Sequence, residues 1–301
     1  MTGLSGSIIV TGGSGTLGHA IVRTALAERW DCAITIYSRS ELRQAEMRQA
    51  YPGLRYVLGD VRDYDRLSAA VAGHDLVIHA AAMKRIPEAE AQPQNCYETN
   101  VIGSANVVRA CIAGGVRRCI GISTDKACAS LTVYGASKRI MEGLFQAAPP
   151  PTVFTLVRYG NVVASNGSVI PLWQQQAARG EPLTITDRRM TRFWMSERDA
   201  VRTIEQASRL EAGLIYVPKM HSLGIQDMAQ MIAPGCDTIE TGLRSTEKLH
   251  EDLVHPYESA IDLDAGYYLG RGLPGGIAYT SEIAPRLTRD QFMAMLSEAE
   301  L

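Results

Sequence analysis

Short, continuous apolar runs recur along the first half of the chain, at 7–11 (S-I-I-V-T), 33–38 (A-I-T-I-Y-S), 54–58 (L-R-Y-V-L), 76–80 (L-V-I-H-A), 119–123 (C-I-G-I-S) and 153–158 (V-F-T-L-V-R). Runs of this length, bounded by polar and glycine residues, predict strands buried on both faces. Between them stand segments such as A-I-V-R-T-A-L-A-E-R and N-V-V-R-A-C-I-A-G-G, whose apolar residues recur near the helical period, the second ending on a glycine stop. This alternation predicts an α/β fold, a Rossmann-type doubly wound parallel sheet with helices on both faces. Past about residue 160 the pattern loosens. A helix is expected over P-L-W-Q-Q-Q-A-A-R-G, a short strand at P-L-T-I-T, a helix over 196–210 and one more buried strand at 214–218. The expected division is a dinucleotide-binding domain over 1–165, to which 190–218 return, and a smaller, interleaved C-terminal substrate region from 166–189 and 219–301.

A chain of 301 residues is long enough to bury a large core without disulfides or metals. Its formal net charge of −2, with acids and bases interspersed, argues against a broad basic surface for nucleic acid or anionic membrane and for a small-molecule partner. The six cysteines form no C-x-x-C pair, which fits a reducing cytoplasm. No apolar stretch approaches the roughly 20 residues of a membrane span, and the N-terminus lacks the basic start of a signal peptide. His250 and His255 lack the partners a metal would need, so no metal is expected.

Chemistry enters with T-G-G-S-G-T-L-G (11–18), set between the first strand and a helix. Gly12, Gly15 and Gly18 permit a tight turn, close approach of a pyrophosphate to backbone N–H groups, and close helix–strand packing. The second strand ends in Y-S-R-S-E-L-R, where an NAD site usually offers an acid to the ribose 2′-hydroxyl. Ser38, Arg39 and Ser40 suit a 2′-phosphate instead, which favours NADP, with NAD the alternative. Asp60 and Val61 in G-D-V-R-D, and Ala80, Ala81 and Ala82 in H-A-A-A-M-K, lie at carboxyl ends of strands, where ligands of such sheets bind.

The stretch after strand five reads S-T-D-K-A-C-A-S-L-T-V-Y-G-A-S-K (123–138). Tyr134 and Lys138 are one helical turn apart and share a face, so an ammonium can favour a phenolate base. An oxidoreductase or epimerase needs little more than that base and an orienting hydroxyl such as Thr124. A dehydratase must also take a proton beside a new ketone and protonate a departing hydroxyl, tasks that adjacent Lys126 and Asp125 can divide.

With these pieces the chain resembles the extended short-chain dehydrogenase/reductases and, within them, the inverting UDP-N-acetylglucosamine 4,6-dehydratases. The more specific matches are S-T-D-K-A, M-T-R-F-W and E-K-L-H-E, beside H-A-A-A-M-K-R-I-P, R-Y-G-N-V and Y-G-A-S-K. The resemblance implies a regenerated NADP and a homo-oligomer, dimer or hexamer. It implies that Tyr134 with Lys138 deprotonates the 4-hydroxyl held by Thr124, that Lys126 takes the C5 proton and that Asp125 protonates the leaving 6-hydroxyl. The implied product is UDP-2-acetamido-2,6-dideoxy-β-L-arabino-hex-4-ulose.

By the same likeness Ser14, Thr16, Leu17, Arg43, Lys84 and Val162 flank the cofactor, while Lys84, Asn161, Asn166, Val169, Arg244 and Glu247 line the sugar and diphosphate pocket. Asn166 stands where the family often has arginine, A-S-L-T (129–132) where it often has Asn-Pro, and R-S-T-E-K where it has R-P-G-E-K. Trp173 and Trp194 are candidates either for stacking on uracil or for the core. The competing readings are a nucleotide-sugar epimerase or 5,6-dehydratase, and a non-catalytic NADP-binding protein.

Overall fold

The structure, a computed structural model, describes residues 3–163, 165, 169–244 and 246–300. Strands and helices alternate through the first half: β1 (Gly6–Thr11), α1 (Thr16–Ala27), β2 (Cys32–Ser38), α2 (Glu41–Ala50), β3 (Arg55–Leu58), α3 (Tyr64–Val71) and β4 (Leu76–His79). Then come α4 (Ile86–Ala91), α5 (Pro93–Tyr97), a π-helical turn (Glu98–Ile102), α6 (Gly103–Ala113), β5 (Arg118–Ile122), a 3-10 turn (Asp125–Ala127), α7 (Val133–Gln146) and β6 (Val153–Val157). Each apolar run became a strand, with ends shifted by about one residue.

The second half holds β7 (Asn161–Val162), α8 (Val169–Ala178), β8 (Leu183–Ile185), β9 (Thr191–Met195), α9 (Glu197–Ala207), β10 (Ile215–Pro218), β11 (His221–Gly224) and α10 (Ile225–Ile232). It closes with β12 (Thr238–Glu240), β13 (Asp252–Val254), β14 (Ala260–Leu263), β15 (Gly266–Leu269), β16 (Tyr279–Thr280) and α11 (Arg289–Glu300). Helix α9 starts in a complete capping box, the Ser196 hydroxyl accepting from Asp199 N–H while the Asp199 carboxylate accepts from Ser196.

The main sheet has nine strands in the order β14-β15-β10-β6-β5-β4-β1-β2-β3, and every pairing from β10 to β3 is parallel. Strand order reverses at β1, which lies between β2 and β4, so a crevice opens beyond their carboxyl ends. Ile8, Ile9, Val10, Ile36, Val77, Ile78 and Ile120 are fully buried in this sheet, as two-sided covering by helices requires. Residues 260–269, expected in the substrate region, instead extend the main sheet: β15 pairs antiparallel with β10, and β14 with β15. Tyr267 and Leu269 bury their side chains there, a period-two pattern too short to stand out in the sequence.

A separate apolar cluster joins Ile170, Trp173, Leu183, Ile185, Trp194, Leu223, Met228, Leu287 and Phe292. It carries a three-stranded sheet, β11-β9-β7, that begins only a few residues past the end of β6. The strands of this second sheet thus start where the main sheet's carboxyl edge ends.

Candidate active site

A cavity of about 910 Å³ runs along that edge, a size suited to small-molecule and cofactor sites. Its floor is the glycine turn. Gly12 has φ +69°, and a Cβ there would stand 2.8 Å from the Ala81 backbone nitrogen, so only glycine fits both conformation and space. At Gly18 a Cβ would collide with the Gly13 carbonyl, which lets α1 lie close to β1. Helix α1 has Gly15 at its N-cap, no side-chain cap and no acid in its first turn, leaving its positive end toward the cavity. A pyrophosphate fits this cradle. Gly12→Ala is expected to cost about 1–2 kcal/mol in backbone strain alone and to abolish the rise in melting temperature expected of the wild type with a nicotinamide dinucleotide.

Beyond β2, Ser38, Arg39, Ser40 and Arg43 line the cavity together with Lys84 and Arg85. The Ser38 hydroxyl accepts from Ser14 (2.9 Å) and from the Gln44 amide (3.0 Å), while the Ser40 hydroxyl caps α2. Burial, with the nearby Arg43 guanidinium, lowers the Lys84 pKa, so an anion held between them relieves a real repulsion. The Asp60 carboxylate accepts from Arg62 at 2.8 and 3.1 Å, with Arg39, which lines the cavity, 3.6 Å off. It closes the turn after β3 and is not on the cavity wall, in contrast to the sequence expectation.

The catalytic candidates converge from two elements. Gly135 makes this possible, because any Cβ would strike the Lys126 carbonyl where α7 crosses the 3-10 turn. Thr132 caps α7, its hydroxyl accepting from Gly135 N–H at 2.9 Å, and so fixes where the helix begins. Tyr134 and Lys138, on the buried face, line the cavity with Thr124 and Lys126. Burial pushes the Tyr134 phenol up to about 12, and the Lys126 ammonium and the Thr124 hydroxyl work against it. The cation that favours its phenolate here is therefore Lys126, more than the Lys138 read from the helical spacing. Lys138 is lowered to about 8 by burial, partly offset by Glu142, and its Nζ donates to Met141 Sδ at 3.0 Å.

That depression links to stability. The unfolded lysine binds its proton up to its ordinary pKa of about 10.4, whereas the folded one releases it near 8. Burying Lys138 therefore opposes folding below pH 8, and this penalty fades as pH rises through 8 toward 10.4. Before cofactor is added, wild type should gain up to about 3 kcal/mol relative to Lys138→Met across that window. Chemical denaturation of both proteins at several pH values isolates the lysine from the other titrating groups.

Asp125 is completely buried behind this front. Its Oδ1 accepts from the Thr124 hydroxyl (2.8 Å) and from Lys126 Nζ (3.0 Å), whereas Oδ2 has no partner. Burial raises its pKa and Lys126 pulls it back. It reaches the cavity through Thr124, a position the sequence did not disclose.

Several supports also escaped sequence reasoning. Asn100, in the π-helical turn, receives Met83 N–H (2.8 Å) and donates to the Met83 carbonyl (2.9 Å) and Ser137 (2.9 Å), tying the loop after β4 to α7. His79, fully buried, lies between Thr11 (2.8 Å) and Ser104 (3.0 Å); burial lowers it to about 3, so it stays neutral. Below Ser123, fully buried Arg158 binds both Glu142 and Glu258 at 2.7 Å. Trp173 is fully buried and, like Trp194, borders the cavity; its indole N–H donates to the Thr184 carbonyl at 2.8 Å. Trp194 is also buried, with no hydrogen-bond partner for its N–H.

Residues 8–269 match the polysaccharide biosynthesis protein family. The chain belongs to that family. It is 43% identical over 271 residues, 87% of this chain and 81% of the relative, to the inverting UDP-N-acetylglucosamine 4,6-dehydratase of Campylobacter jejuni serotype O:2. A UDP-glucose 4-epimerase of Rickettsia massiliae is 39% identical, covering 84% of this chain and 79% of its own. Among solved structures, Pen from Bacillus thuringiensis superimposes with a TM-score of 0.90 at 28% identity, covering 100% of this chain and 99% of the other.

In this family member the cavity gathers most residues read from the sequence: Gly12, Ser14, Gly15, Thr16, Leu17, Val61, Ala80, Ala81, Ala82, Asn161, Val162, Val169, Arg244 and Glu247 besides those above. Gly18, Asp60 and Asp125 stand off its wall, and Asn166 lies outside the described residues. Arg192, Tyr159 and Thr186 line it without having been singled out, although Arg192 belongs to the M-T-R-F-W motif. Among the described residues no helix is long and apolar enough to cross a membrane, and no group of three or more His, Cys, Asp or Glu is placed to hold a metal.

Proposed function

We propose that the protein is an NADP-dependent, configuration-inverting UDP-N-acetylglucosamine 4,6-dehydratase. The observation that carries this reading is the contiguous chain Tyr134–Thr124–Asp125–Lys126, three members on the cavity wall and Asp125 buried directly behind them. A simple epimerase has no use for its last two members. Likeness to the Campylobacter dehydratase over most of both chains supports the same choice.

The glycine turn and the N-terminus of α1 would hold the pyrophosphate, with Ser38, Arg39, Ser40 and Arg43 around the 2′-phosphate. Glu41, the only acid in the first turn of α2, is off the cavity wall, which favours NADP over NAD. When bound, the cofactor would accept hydride from C4 and return it to C6. Tyr134 removes the 4-hydroxyl proton while Thr124 orients that oxygen. Lys126 begins as an ammonium paired with Asp125; passing that proton to the carboxyl group leaves an amine that takes the C5 proton, acidified by the 4-ketone. Asp125 then releases its proton through Thr124 to the departing 6-hydroxyl, which leaves as water and restores the ion pair. Protonation of C5 from the opposite face by a solvent proton, which the one released from Tyr134 replaces, inverts that carbon. Asn161, Val169, Arg244 and Glu247, from elements of the second cluster and its approaches, are assigned to the sugar and diphosphate.

All six cysteines are free, which supports a reducing, cytoplasmic setting. Incubation with UDP-N-acetylglucosamine and NADP should yield a product lighter by one water and carrying a 4-ketone. Product of unchanged mass would favour the epimerase, and no product at all would overturn both.

A further inference from the structure

The dehydratase chemistry uses Asp125 and Lys126, but the charged row does not end there. Glu251, just before β13, points a buried carboxylate at the same ammonium: Oε1 is 3.6 Å from Lys126 Nζ and 3.7 Å from Arg192 Nε. Its own N–H is fixed by the Ser281 hydroxyl at 2.9 Å. Arg192 is anchored in turn by the carbonyls of Thr191 (2.7 Å), Lys248 (3.0 Å) and Leu249 (3.1 Å). Four charges therefore alternate in a line, carboxylate, ammonium, carboxylate, guanidinium, joining the 3-10 turn to β9 and to the loop before β13.

We propose that Glu251, braced by Arg192, is a positioning residue for the dehydration half of the reaction, holding the Lys126 side chain against Asp125 and keeping one proton on that pair at alkaline pH. The inference rests on the dehydratase reading. Dehydration as derived above needs one shared proton on the pair, given to the leaving hydroxyl and recovered from C5. A pair stripped of it has no acid to offer. Asp125, Glu251, Arg192 and Tyr134 face Lys126; Lys126, Arg192, Lys248, Asp252 and Asp125 face Glu251. Burial works against the Lys126 charge, yet the two carboxylates together raise its pKa above the ordinary lysine value. Charges 3–4 Å apart in a partly desolvated site interact far more strongly than in water, so a neutral isostere at 251 removes the second of the two charges, after Asp125, that hold the Lys126 proton.

The test compares wild type, Glu251→Gln and Glu251→Asp, each loaded with NADP and mixed with UDP-N-acetylglucosamine at about pH 7 and about pH 9. Reduced-cofactor absorbance reports C4 oxidation, and loss of water by mass reports elimination. Wild-type elimination is expected to change less than about threefold between the two pH values, and that of Glu251→Gln to fall at least about tenfold. Reduced cofactor should accumulate in the variant at the higher pH, because the 4-keto intermediate waits for elimination. Glu251→Asp, which keeps the charge at shorter reach, should lie between them, and it decides the matter alone if the glutamine variant does not fold. A wild-type pH dependence in the variants would overturn the proposal, as would an equal loss of oxidation and elimination at both pH values. Wild type that neither reduces cofactor nor loses water with this substrate would instead overturn the dehydratase reading, and the inference with it.

Discussion

Tyr134→Phe is expected to lower turnover of UDP-N-acetylglucosamine by about a thousand-fold, within the range that a positioned general base contributes. The phenol is the group on the cavity wall that joins the Thr124 hydroxyl to α7, and oxidation at C4 begins with its proton transfer. Burial drives it to about 12 before any ligand is present, so the site must favour the phenolate through nearby cations when substrate and cofactor bind. Lys126 already does so, and Lys138, fully charged below about pH 8, lies on the same wall. Removing one hydroxyl leaves the ring in place, so melting temperature should move little while cofactor reduction disappears. Turnover within about threefold of wild type would show that a different group removes the proton.

Asp125→Asn separates the two halves of the reaction. The amide keeps the size of the carboxyl group but has no proton to give to the 6-hydroxyl, so elimination should fall by about a hundred- to ten-thousand-fold. Oxidation at C4 should persist, since the Asp125 carboxylate raises the Tyr134 pKa and its loss makes the phenol easier to ionise. Lys126 retains Glu251 as a counter-ion and remains charged. Rapid-quench mass analysis should find a 4-keto sugar that still carries its 6-hydroxyl, together with reduced cofactor. Equal loss of oxidation and elimination would show that Asp125 acts on the fold of the turn and not on the leaving group.

What was legible in the sequence was whatever depends on local pattern. The buried strands β1, β2, β4, β5 and β6 carry short apolar runs, while β3, at the edge, is only partly covered; the glycine turn is constrained by its own backbone, and Tyr134 and Lys138 share a face through helical spacing alone. What was hidden depends on which distant segments meet. Asp60, at the carboxyl end of a strand where ligands bind, is engaged by Arg62 two residues later, which its position in the sequence does not disclose. Asp125 and Lys126 are adjacent in sequence, but the turn sends one side chain inward and the other to the cavity. Glu251 and Arg192 are far apart in sequence from Lys126 and from each other, and only packing of β9 and the β13 loop against the 3-10 turn makes them one row. The strands at 260–269 were missed because each is only four residues long, and the outer one, β14, exposes Asp262 and Leu263 and so carries little hydrophobic signal.

The most direct test of the account is proton NMR of the product formed from UDP-N-acetylglucosamine in deuterated water. The chain Tyr134–Thr124–Asp125–Lys126 predicts a 4-keto-6-deoxy sugar with one deuterium at C5, the C4 hydrogen of the substrate in the C6 methyl group, and ring couplings of the inverted, L-arabino configuration. A product that keeps the 6-hydroxyl and the C5 hydrogen, epimerised at C4 alone, would contradict it.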